Sequence, residues 1–396
     1  MKNNSVNKRY VPKLRFKGFN EFWKITKIEN EFFIKKGVQI NKSLIHQNGK
    51  FYHLNGGLTY SNKCNKWNTN KNTISISEGG ESCGYISWND QKFWAGGHLY
   101  TLDVLNSQNN SKYLYYVLKK NEKLIMNLRV GSSIPNIQKK DLFSFKISIS
   151  INNEEQIKIS NFLSLLDKQI SLLENKLKLT EQLKHNYSKN LFANKSNTPK
   201  LRFRGFVDEW IRESFSNLVD FARSGGTPKS GEHKYYQNGT IPFLSINDLN
   251  QKYLTNCNKK ITRLAIDETS TFIFEKNNIL LSIYATIGEV AINKIDVALP
   301  QSILGIKIKN NINLEYFYYL LLANQKKFVK NSQTGSQPNL SLKIINNIQF
   351  QFSTNLKEQT KISNFLLLLD KQIDNVSRKI EIIKNQKKFF LNNLFI

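Results

Sequence analysis

The most regular pattern of apolar and polar positions lies in two segments where apolar residues alternate three and four positions apart. This spacing predicts a helix with one apolar seam, as in a coiled coil. Each helix is expected to run for about 35–40 residues, or about 55 Å. Both seams carry a lysine, Lys184 or Lys387, at the same otherwise apolar position. The apolar positions are Leu163, Leu166, Ile170, Leu173 and Leu177, and then Leu366, Leu369, Ile373, Val376, Ile380 and Ile383.

A helix with such a seam needs a partner in water, because its apolar stripe is otherwise exposed. The simplest partner is the other helix of the same chain. Each helix follows a segment with globular patterning, so an antiparallel pairing is expected to place one globular segment at each end. Two alternatives are that each seam packs on its own domain, and that several chains form a homo-oligomeric coiled coil.

Short apolar runs ahead of each helix predict buried strands that lead into glycine turns. The first run is Thr73 to Ser77, before Gly84, and the second is Ile279 to Ile283, before Gly288. Each segment then closes with a similar turn. The two turns read GSSIPNI from Gly131 and GSQPNL from Gly335.

These parallels belong to an internal repeat, which has to be recognised before any fold is assigned. The first copy opens with PKLRFKGFNEFW at Pro12, and the second opens with PKLRFRGFVDEW at Pro199, 187 residues later. The helix EEQIKISNFLSLLDKQI recurs as KEQTKISNFLLLLDKQI after 203 residues. The second copy therefore has 16 extra residues in its middle. The divergent middles predict one scaffold with two specificities, and Trp23 and Trp210 in the shared motif are expected to be packing residues.

The charge of the chain points to a polyanionic partner. The 58 Lys and Arg residues exceed the 30 Asp and Glu residues, which leaves a net charge of +28. Nucleic acid fits better than a membrane, since no stretch approaches the roughly 20 apolar residues needed to span a bilayer. Cys64, Cys83 and Cys257 form no CxxC pair, which argues against a zinc site or a disulfide framework and favours the reducing cytoplasm.

The sequence lacks the motifs expected of an enzyme that acts on DNA. It has no phosphate-binding GxxxxGK[ST] loop, no GxGxxG turn and no adjacent prolines of the kind expected in an amino-methyltransferase motif. The Glu-x-Lys triplets at Glu174 and Glu232 are interpreted as solvated charge. Two rival readings remain: a diverged DNA methyltransferase or nuclease with its own catalytic centre, and a coiled-coil transcriptional regulator, which would not explain the duplication.

The whole chain resembles the specificity subunit of type I restriction-modification enzymes. The residues that carry the resemblance are PKLRF[KR]GF, SGGTPKSGEHKYYQNGTIPFLSINDL from Ser224, LLSIYATIGEVAI, and the two ExQxKISNFLxLLDKQI helices. The first copy departs from the family pattern, because it has no counterpart of SGGTPKSGEH. Its base-reading loops are therefore harder to place.

The resemblance implies an α+β fold with two mixed α/β target recognition domains in pseudo-two-fold arrangement. Two long antiparallel coiled-coil helices would separate them and act as spacer and docking site. The expected domains are residues 1–152 and 199–356, with a spacer helix and linker at 153–198 and a C-terminal spacer helix at 357–396.

The resemblance also implies that the chain is a non-catalytic subunit that reads a bipartite, asymmetric site in double-stranded DNA. Two modification subunits would bind S-adenosylmethionine and methylate adenine. Separate restriction and translocase subunits would use ATP and magnesium. No cofactor, metal or membrane is expected for this chain itself.

Candidate base-reading residues are polar side chains where strands meet glycine- or proline-marked turns, because such loops can enter a groove of DNA. Flanking lysines would contact phosphates. The candidates in the first copy are Tyr60, Asn62, Lys63, Glu78, Glu81, Tyr85 and His98. Those in the second copy are Arg223, Ser224, Thr227, Lys229, Asn247, Asp248, Tyr284, Thr286, Gln301 and Ser302.

Overall fold

The computed structural model describes residues 11–131, 135–192, 198–332 and 338–396. Parts of the predicted closing turns, 132–134 and 335–337, lie outside these residues. The described chain forms two compact units, one within Met1–Glu174 and Ser377–Ile396 and the other within Asn175–Val376. Each unit thus contains parts of both long helices. The domain boundaries expected from the sequence were placed by the repeat instead, and they stay a prediction.

The first unit has mixed α and β structure. Its strands are β1 (Lys24–Lys27), β2 (Phe32–Lys36), β3 (Phe51–Leu54), β4 (Asn62–Cys64), β5 (Thr73–Ser77), β6 (Ile86–Asn89), β7 (Phe93–Ala95), β8 (Leu99–Val104) and β9 (Lys146–Ile149). Its helices are α1 (Ile28–Glu31), α2 (Ser111–Lys120), α3 (Glu122–Met126), α4 (Lys139–Ser144) and the beginning of α5 (Asn153–Leu191). The strands pair in the orders β2-β8-β5-β6, β4-β3-β7 and β1-β9.

The second unit repeats this plan with additional strands. Its strands are β10 (Ile211–Ser214), β11 (Val219–Ser224), β12 (Ile241–Phe243), β13 (Tyr253–Leu254), β14 (Lys259–Ile261), β15 (Ile273–Phe274), β16 (Ile279–Ser282), β17 (Val290–Asn293), β18 (Val297–Ala298), β19 (Ile303–Ile308) and β20 (Gln349–Phe352). Its helices are α6 (Phe215–Leu218), α7 (His233–Tyr236), α8 (Arg263–Glu268), α9 (Leu314–Ala323), α10 (Gln325–Asn331), α11 (Leu342–Asn346) and the beginning of α12 (Leu356–Asn393). The strand orders are β11-β19-β16-β17-β13, β14-β12-β18-β15 and β10-β20.

The two predicted buried strands are confirmed as β5 and β16. Every residue of both strands is buried, and each strand has a partner on both sides in its sheet. The turns that follow contain Gly84 at φ 86° and Gly288 at φ 91°. A Cβ atom on Gly84 would lie 2.7 Å from the Met126 Cα, and one on Gly288 would lie 2.8 Å from the Gln325 Cγ. Glycine is therefore required at both turns by conformation and by space.

A fully buried carboxylate ties the opening motif of the first copy to the start of α5. Glu155 accepts two hydrogen bonds from Arg15, at 2.6 and 2.9 Å, and one from the Trp23 indole at 3.1 Å. The Ser150 hydroxyl donates a fourth at 2.5 Å. The hydrogen bond with Glu155 raises the pKa of Arg15. The charge of Glu155 is thereby compensated within the fold, as a buried charge must be.

The second copy builds the same cluster around Glu358. Arg202 donates to it at 2.6 and 3.0 Å, the Trp210 indole at 3.1 Å and the Ser353 hydroxyl at 2.6 Å. Trp23 and Trp210 are only 3% and 2% exposed, which confirms that both are packing residues. The PKLRF motif and the helix start are thus two halves of one buried ion-pair cluster.

The end of each long helix packs into the core of the unit that opens with the other copy. Leu394 and Phe395 belong to the core of the first unit, and Phe395 packs edge-on against Trp23 at 6.0 Å. Leu191 and Phe192 belong to the core of the second unit, where the ring centres of Phe192 and Trp210 are 6.4 Å apart. Each unit is therefore built from both copies of the repeat.

The predicted antiparallel pairing of the long helices is confirmed within each unit. In the first unit Phe162 packs on Phe390, and Asp167 pairs with Lys387. The later residue of α5 therefore contacts the earlier residue of α12, which is the antiparallel arrangement. The second unit has the same arrangement. There Phe365 packs on Tyr187, and Asp370 pairs with Lys184 at 2.5 Å.

These ion pairs explain the lysine that interrupts each apolar seam. Asp167 also accepts a hydrogen bond from the Tyr116 hydroxyl of α2 at 2.7 Å, and Asp370 accepts one from the Tyr319 hydroxyl of α9 at 2.5 Å. Burial raises the pKa of both tyrosines, which keeps them protonated as donors. Each aspartate therefore links a short helix of its own unit to both long helices.

Replacement of Glu358 by Gln tests the buried cluster. The substitution leaves the Arg202 guanidinium, whose side chain is 15% exposed, without its counter-charge. Breaking a buried pair in this way typically costs about 3–5 kcal/mol. We expect the free energy of unfolding, measured with urea, to fall by that amount. Glu209→Gln, at an exposed position of the same motif, should leave it unchanged. Equal stability of the two variants would show that the cluster contributes nothing.

Candidate nucleic-acid interface

Four of the predicted base-reading residues of the second unit line one open cleft of about 510 Å³. Its lining is formed by Thr227, Ile246, Tyr284, Ala285, Gln301, Ser302 and Pro338. The sheet order explains why residues so far apart in sequence meet. β19 pairs antiparallel with β11 and β16, so that Leu304 lies opposite Ser224 and Ile303 opposite Ser282. The ends of β11 and β16 and the beginning of β19 therefore share one edge.

Backbone contacts hold the loops of this cleft. Tyr284 forms a β-bridge with Asn339, and Ala285 follows it at φ 55°, a left-handed conformation that is unusual for a residue other than glycine. The Ser282 hydroxyl donates to the Thr286 carbonyl, and the backbone N–H of Gln301 donates to the Thr227 hydroxyl at 3.4 Å. The side chains that line the cleft are thus presented from a defined backbone.

The other candidates of the second unit lie around this edge with different degrees of exposure. Arg223 is exposed on β11, with its guanidinium 5.0 Å from the centre of the Phe272 ring. Ser224 ends the same strand and is half-buried. The exposed candidates that remain are Lys229, Asn247 and Thr286.

Asp248 differs from these exposed candidates because it is buried. Its carboxylate is buried, and it accepts hydrogen bonds from the Ser245 amide at 2.8 Å and from the Ser245 hydroxyl at 2.7 Å. These bonds cap the 3-10 turn Ile246–Asn250. The geometry gives Asp248 the task of shaping the loop that presents Asn247.

In the first unit Glu78 is buried in a similar way. It is 4% exposed, and one carboxylate oxygen accepts from the Lys36 ammonium at 2.6 Å and from the Tyr100 hydroxyl at 2.8 Å. Glu81, three residues later, is exposed in the turn. The turn therefore carries one carboxylate that faces inward and one that faces solvent.

The remaining candidates of the first unit lie on neighbouring loops and strands. His98 is exposed immediately before β8, and its amide donates to the Asn55 side chain at 3.3 Å. Tyr85 is half-buried beneath the Lys119 ammonium, 4.2 Å from its ring centre, and burial raises its pKa. Asn62 and Lys63 are exposed on β4, which belongs to a different sheet, and Tyr60 precedes that strand.

Sequence reasoning missed a second cleft of about 400 Å³ beside the first. It is lined by Thr227, Ser230, Tyr236, Phe243, Lys259 and Lys260, and so shares Thr227 with the first cleft. The adjacent lysines were the available signal, but they look like any other surface charge in a chain so rich in lysine. Only the pairing of β14 with β12 places them opposite the Thr227 loop.

No group of three or more His, Cys, Asp or Glu side chains within the described ranges is arranged to hold a metal ion. In that same part of the chain, no helix combines the length and the apolar character required to cross a membrane.

Comparison with known proteins agrees with this architecture. The chain matches the family described as type I restriction modification DNA specificity domain over residues 20–182 and 209–385. It is 27% identical to a protein of Mycoplasma genitalium provisionally named a type I specificity subunit, over 97% of this chain and 96% of that protein. A type I restriction enzyme specificity subunit of Methanocaldococcus jannaschii is 31% identical over 48% of this chain and 44% of that protein.

A solved structure extends the comparison to the fold. The crystal structure of the S subunit of a type I restriction-modification system from M. genitalium superimposes with a TM-score of 0.72 at 25% identity. The superposition covers 98% of this chain and 99% of that one.

The duplicated units, with similar scaffolds and different loops at corresponding edges, define a DNA-recognition protein. The chain belongs to the type I restriction-modification DNA specificity family, both copies of the repeat being matched. It is therefore a sequence-specific DNA-binding specificity subunit, the non-catalytic recognition component of its system.

The contrast between Glu78 and Glu81 is testable. We expect Glu78→Ala to lower the free energy of unfolding by about 1–3 kcal/mol, because the buried Tyr100 hydroxyl loses the nearer of its two acceptors and keeps only the Ile137 carbonyl at 3.3 Å. Glu81→Ala, on the surface, should change it by less than about 0.5 kcal/mol. Urea denaturation measures both. If Glu78→Ala were as stable as the parent and recognised a different DNA sequence, Glu78 would be a base-reading residue after all.

Proposed function

We propose that this chain reads a bipartite, asymmetric site in double-stranded DNA, with one half-site for each unit. The observation that carries the proposal is that equivalent backbone positions bear different side chains in the two units. Gly79 bridges to Asn136 in the first unit, where Tyr284 bridges to Asn339 in the second. Likewise, His98 precedes β8 where Ser302 precedes β19. Different side chains on one scaffold favour different bases.

The charge of the chain supports DNA as the partner of both units. Its net charge of +28 is suited to phosphate neutralisation, which contributes affinity without sequence preference. Polar side chains at the loop edges would then supply the discrimination between bases. We infer that the protein works in the cytoplasm, where this DNA is accessible.

Exchange of residues 206–338 for the equivalent region of a relative tests the modular arrangement. The exchange leaves Arg202, Ser353 and Glu358 of the buried cluster in place, and the relative must supply the tryptophan that corresponds to Trp210. We expect one half-site to change and the other to persist, as read by genome-wide mapping of methylated adenines in cells that carry the complete system. The reciprocal exchange in the first unit is the control and should change only the other half-site. Alteration of both halves, or of neither, would contradict one half-site per unit.

We further propose that the long helices dock two modification subunits. Each helix carries a second line of apolar residues, seven positions apart or a multiple of seven, outside the buried seam. In the first unit these are Leu165 and Leu172 on α5 with Ile382 and Phe389 on α12, and in the second unit Leu179 on α5 with Leu368 on α12. All six are more than half exposed. Exposed apolar stripes of this kind mark protein interaction surfaces, and apolar helices of a partner would cover them.

The double variant Leu165→Glu, Leu172→Glu tests this docking surface. The two side chains are 55% and 60% exposed, so their replacement should leave the stability of the free chain nearly unchanged. We expect binding of modification subunits, measured by analytical ultracentrifugation, to weaken at least tenfold, because charges would be buried in the interface. Ser171→Glu, at an exposed position roughly 100–120° around α5 from the two leucines, adds the same charge per substitution and is the control. Undiminished assembly of the double variant would exclude this face.

The catalytic cofactors are assigned to the partner subunits. S-adenosylmethionine would be bound by the modification subunits, and ATP and magnesium by the restriction and translocase subunits. The sequence supports this assignment, since it contains no nucleotide-binding or methyltransferase motif.

A further inference from the structure

The two clefts of the second unit lie side by side, and together they are referred to as the groove, whose two ends differ in chemistry. They meet at Thr227, which lines both. The loop that carries Thr227 is held on both sides. The Tyr236 hydroxyl donates to the Pro228 carbonyl at 2.5 Å, and the Thr227 hydroxyl accepts from the backbone N–H of Gln301. Ligand groups in the two clefts would therefore be held at a defined spacing.

The first end of the groove has the chemistry of a base-edge reader. None of its seven lining residues carries a charge. Gln301 is exposed and presents a donor and an acceptor from one amide, the combination that pairs with the N6 and N7 atoms of adenine. The Ser302 hydroxyl donates or accepts beside it, and Tyr284 supplies an aromatic surface. Without a cation, this end is poorly suited to a phosphate.

The second end has the chemistry of a phosphate site. Lys259 and Lys260 are exposed there, and the Ser230 hydroxyl and the Tyr236 ring complete the polar lining. The lining contains no carboxylate. Within the part of the chain that the structure describes, neither lysine belongs to an ion pair, whereas Lys234 nearby is paired with Glu268 at 2.6 Å. The two ammonium groups are thus available to an anion.

We propose that this groove holds one DNA strand in two ways: Gln301, with Ser302 and Tyr284, determines base identity in one half-site, while Lys259 and Lys260 bind the adjoining backbone phosphates. The proposal rests on the proposed function of the chain as a reader of two half-sites. It assigns specificity to one end of the groove and sequence-independent affinity to the other. The position of Tyr284 is occupied by Gly79 in the first unit, so the aromatic part of this reader belongs to the second unit.

The test uses the full chain in complex with its modification subunits. Mapping of methylated adenines first defines the recognised sequence. Two duplexes then serve as probes, one carrying the mapped site and one of the same composition with that site scrambled. Dissociation constants are measured for both between about 50 and 200 mM salt, a range in which phosphate contacts dominate the salt response.

Gln301→Ala is expected to weaken binding to the mapped duplex by about 5- to 150-fold, the loss typical of one bidentate base contact. Binding to the scrambled duplex should stay nearly the same, and the methylation map should relax at one position of one half-site. Equal losses on both duplexes, or an unchanged map, would overturn the assignment of Gln301.

The double variant Lys259→Gln, Lys260→Gln should weaken binding to both duplexes by the same factor and leave the recognised sequence unaltered. It should reduce the slope of log K against log salt by about 1–2, because each phosphate contact contributes roughly 0.9. Lys357→Gln, Lys371→Gln removes two exposed charges from α12 and should leave the slope unchanged. An unchanged slope in the first double variant, or a changed sequence, overturns the phosphate site.

The outcome for the parent complex separates this proposal from the proposed function. A parent that fails to distinguish the two duplexes overturns both. A parent that distinguishes them, with variants that do not behave as described, overturns only the division of the groove.

Discussion

A buried carboxylate at the start of each long helix is the interaction on which the rest of this structure depends. Glu155 and Glu358 are fully buried, and such a charge is tolerated only when its oxygens are satisfied within the protein. The arginines that satisfy them lie 140 and 156 residues earlier in the chain. The difference of 16 residues is the extra length of the second copy. The cluster thus closes each unit around a middle of variable length.

That closure separates the architecture that the two copies share from the surface in which they differ. The opening motif, the strand before each long helix and the helix itself are held together at one place. The strands between the opening motif and the long helix can vary, provided that the chain comes back to the buried cluster. Turns at the ends of β5 and β16 can therefore differ in length and side chain, as Gly79 and Tyr284 do, without loss of the scaffold. This freedom is what a protein with two independent reading surfaces requires.

Ion pairs within the apolar seam fix the alignment of the two long helices. A lysine within an apolar seam would destabilise the pairing of the helices if it had no counter-charge, but Lys387 meets Asp167 and Lys184 meets Asp370. Each aspartate also accepts a hydrogen bond from a tyrosine of its own unit. A register slip between the helices would separate charge from counter-charge, so these pairs favour one antiparallel alignment. The second apolar line on the same helices is exposed.

The sequence by itself determined the duplication, the two long helices, the buried strands β5 and β16 and the packing role of Trp23 and Trp210. All of these follow from local periodicity or from repeated motifs. Tertiary structure alone decided which polar side chains reach the surface. Glu78 and Asp248 stand in turns that look solvent-exposed, yet both find internal partners, one of them more than 40 residues away. Thr227 lies beside Gln301 only because β11, β19 and β16 are neighbours in one sheet, and strand order depends on long-range hydrogen bonds that no local pattern encodes.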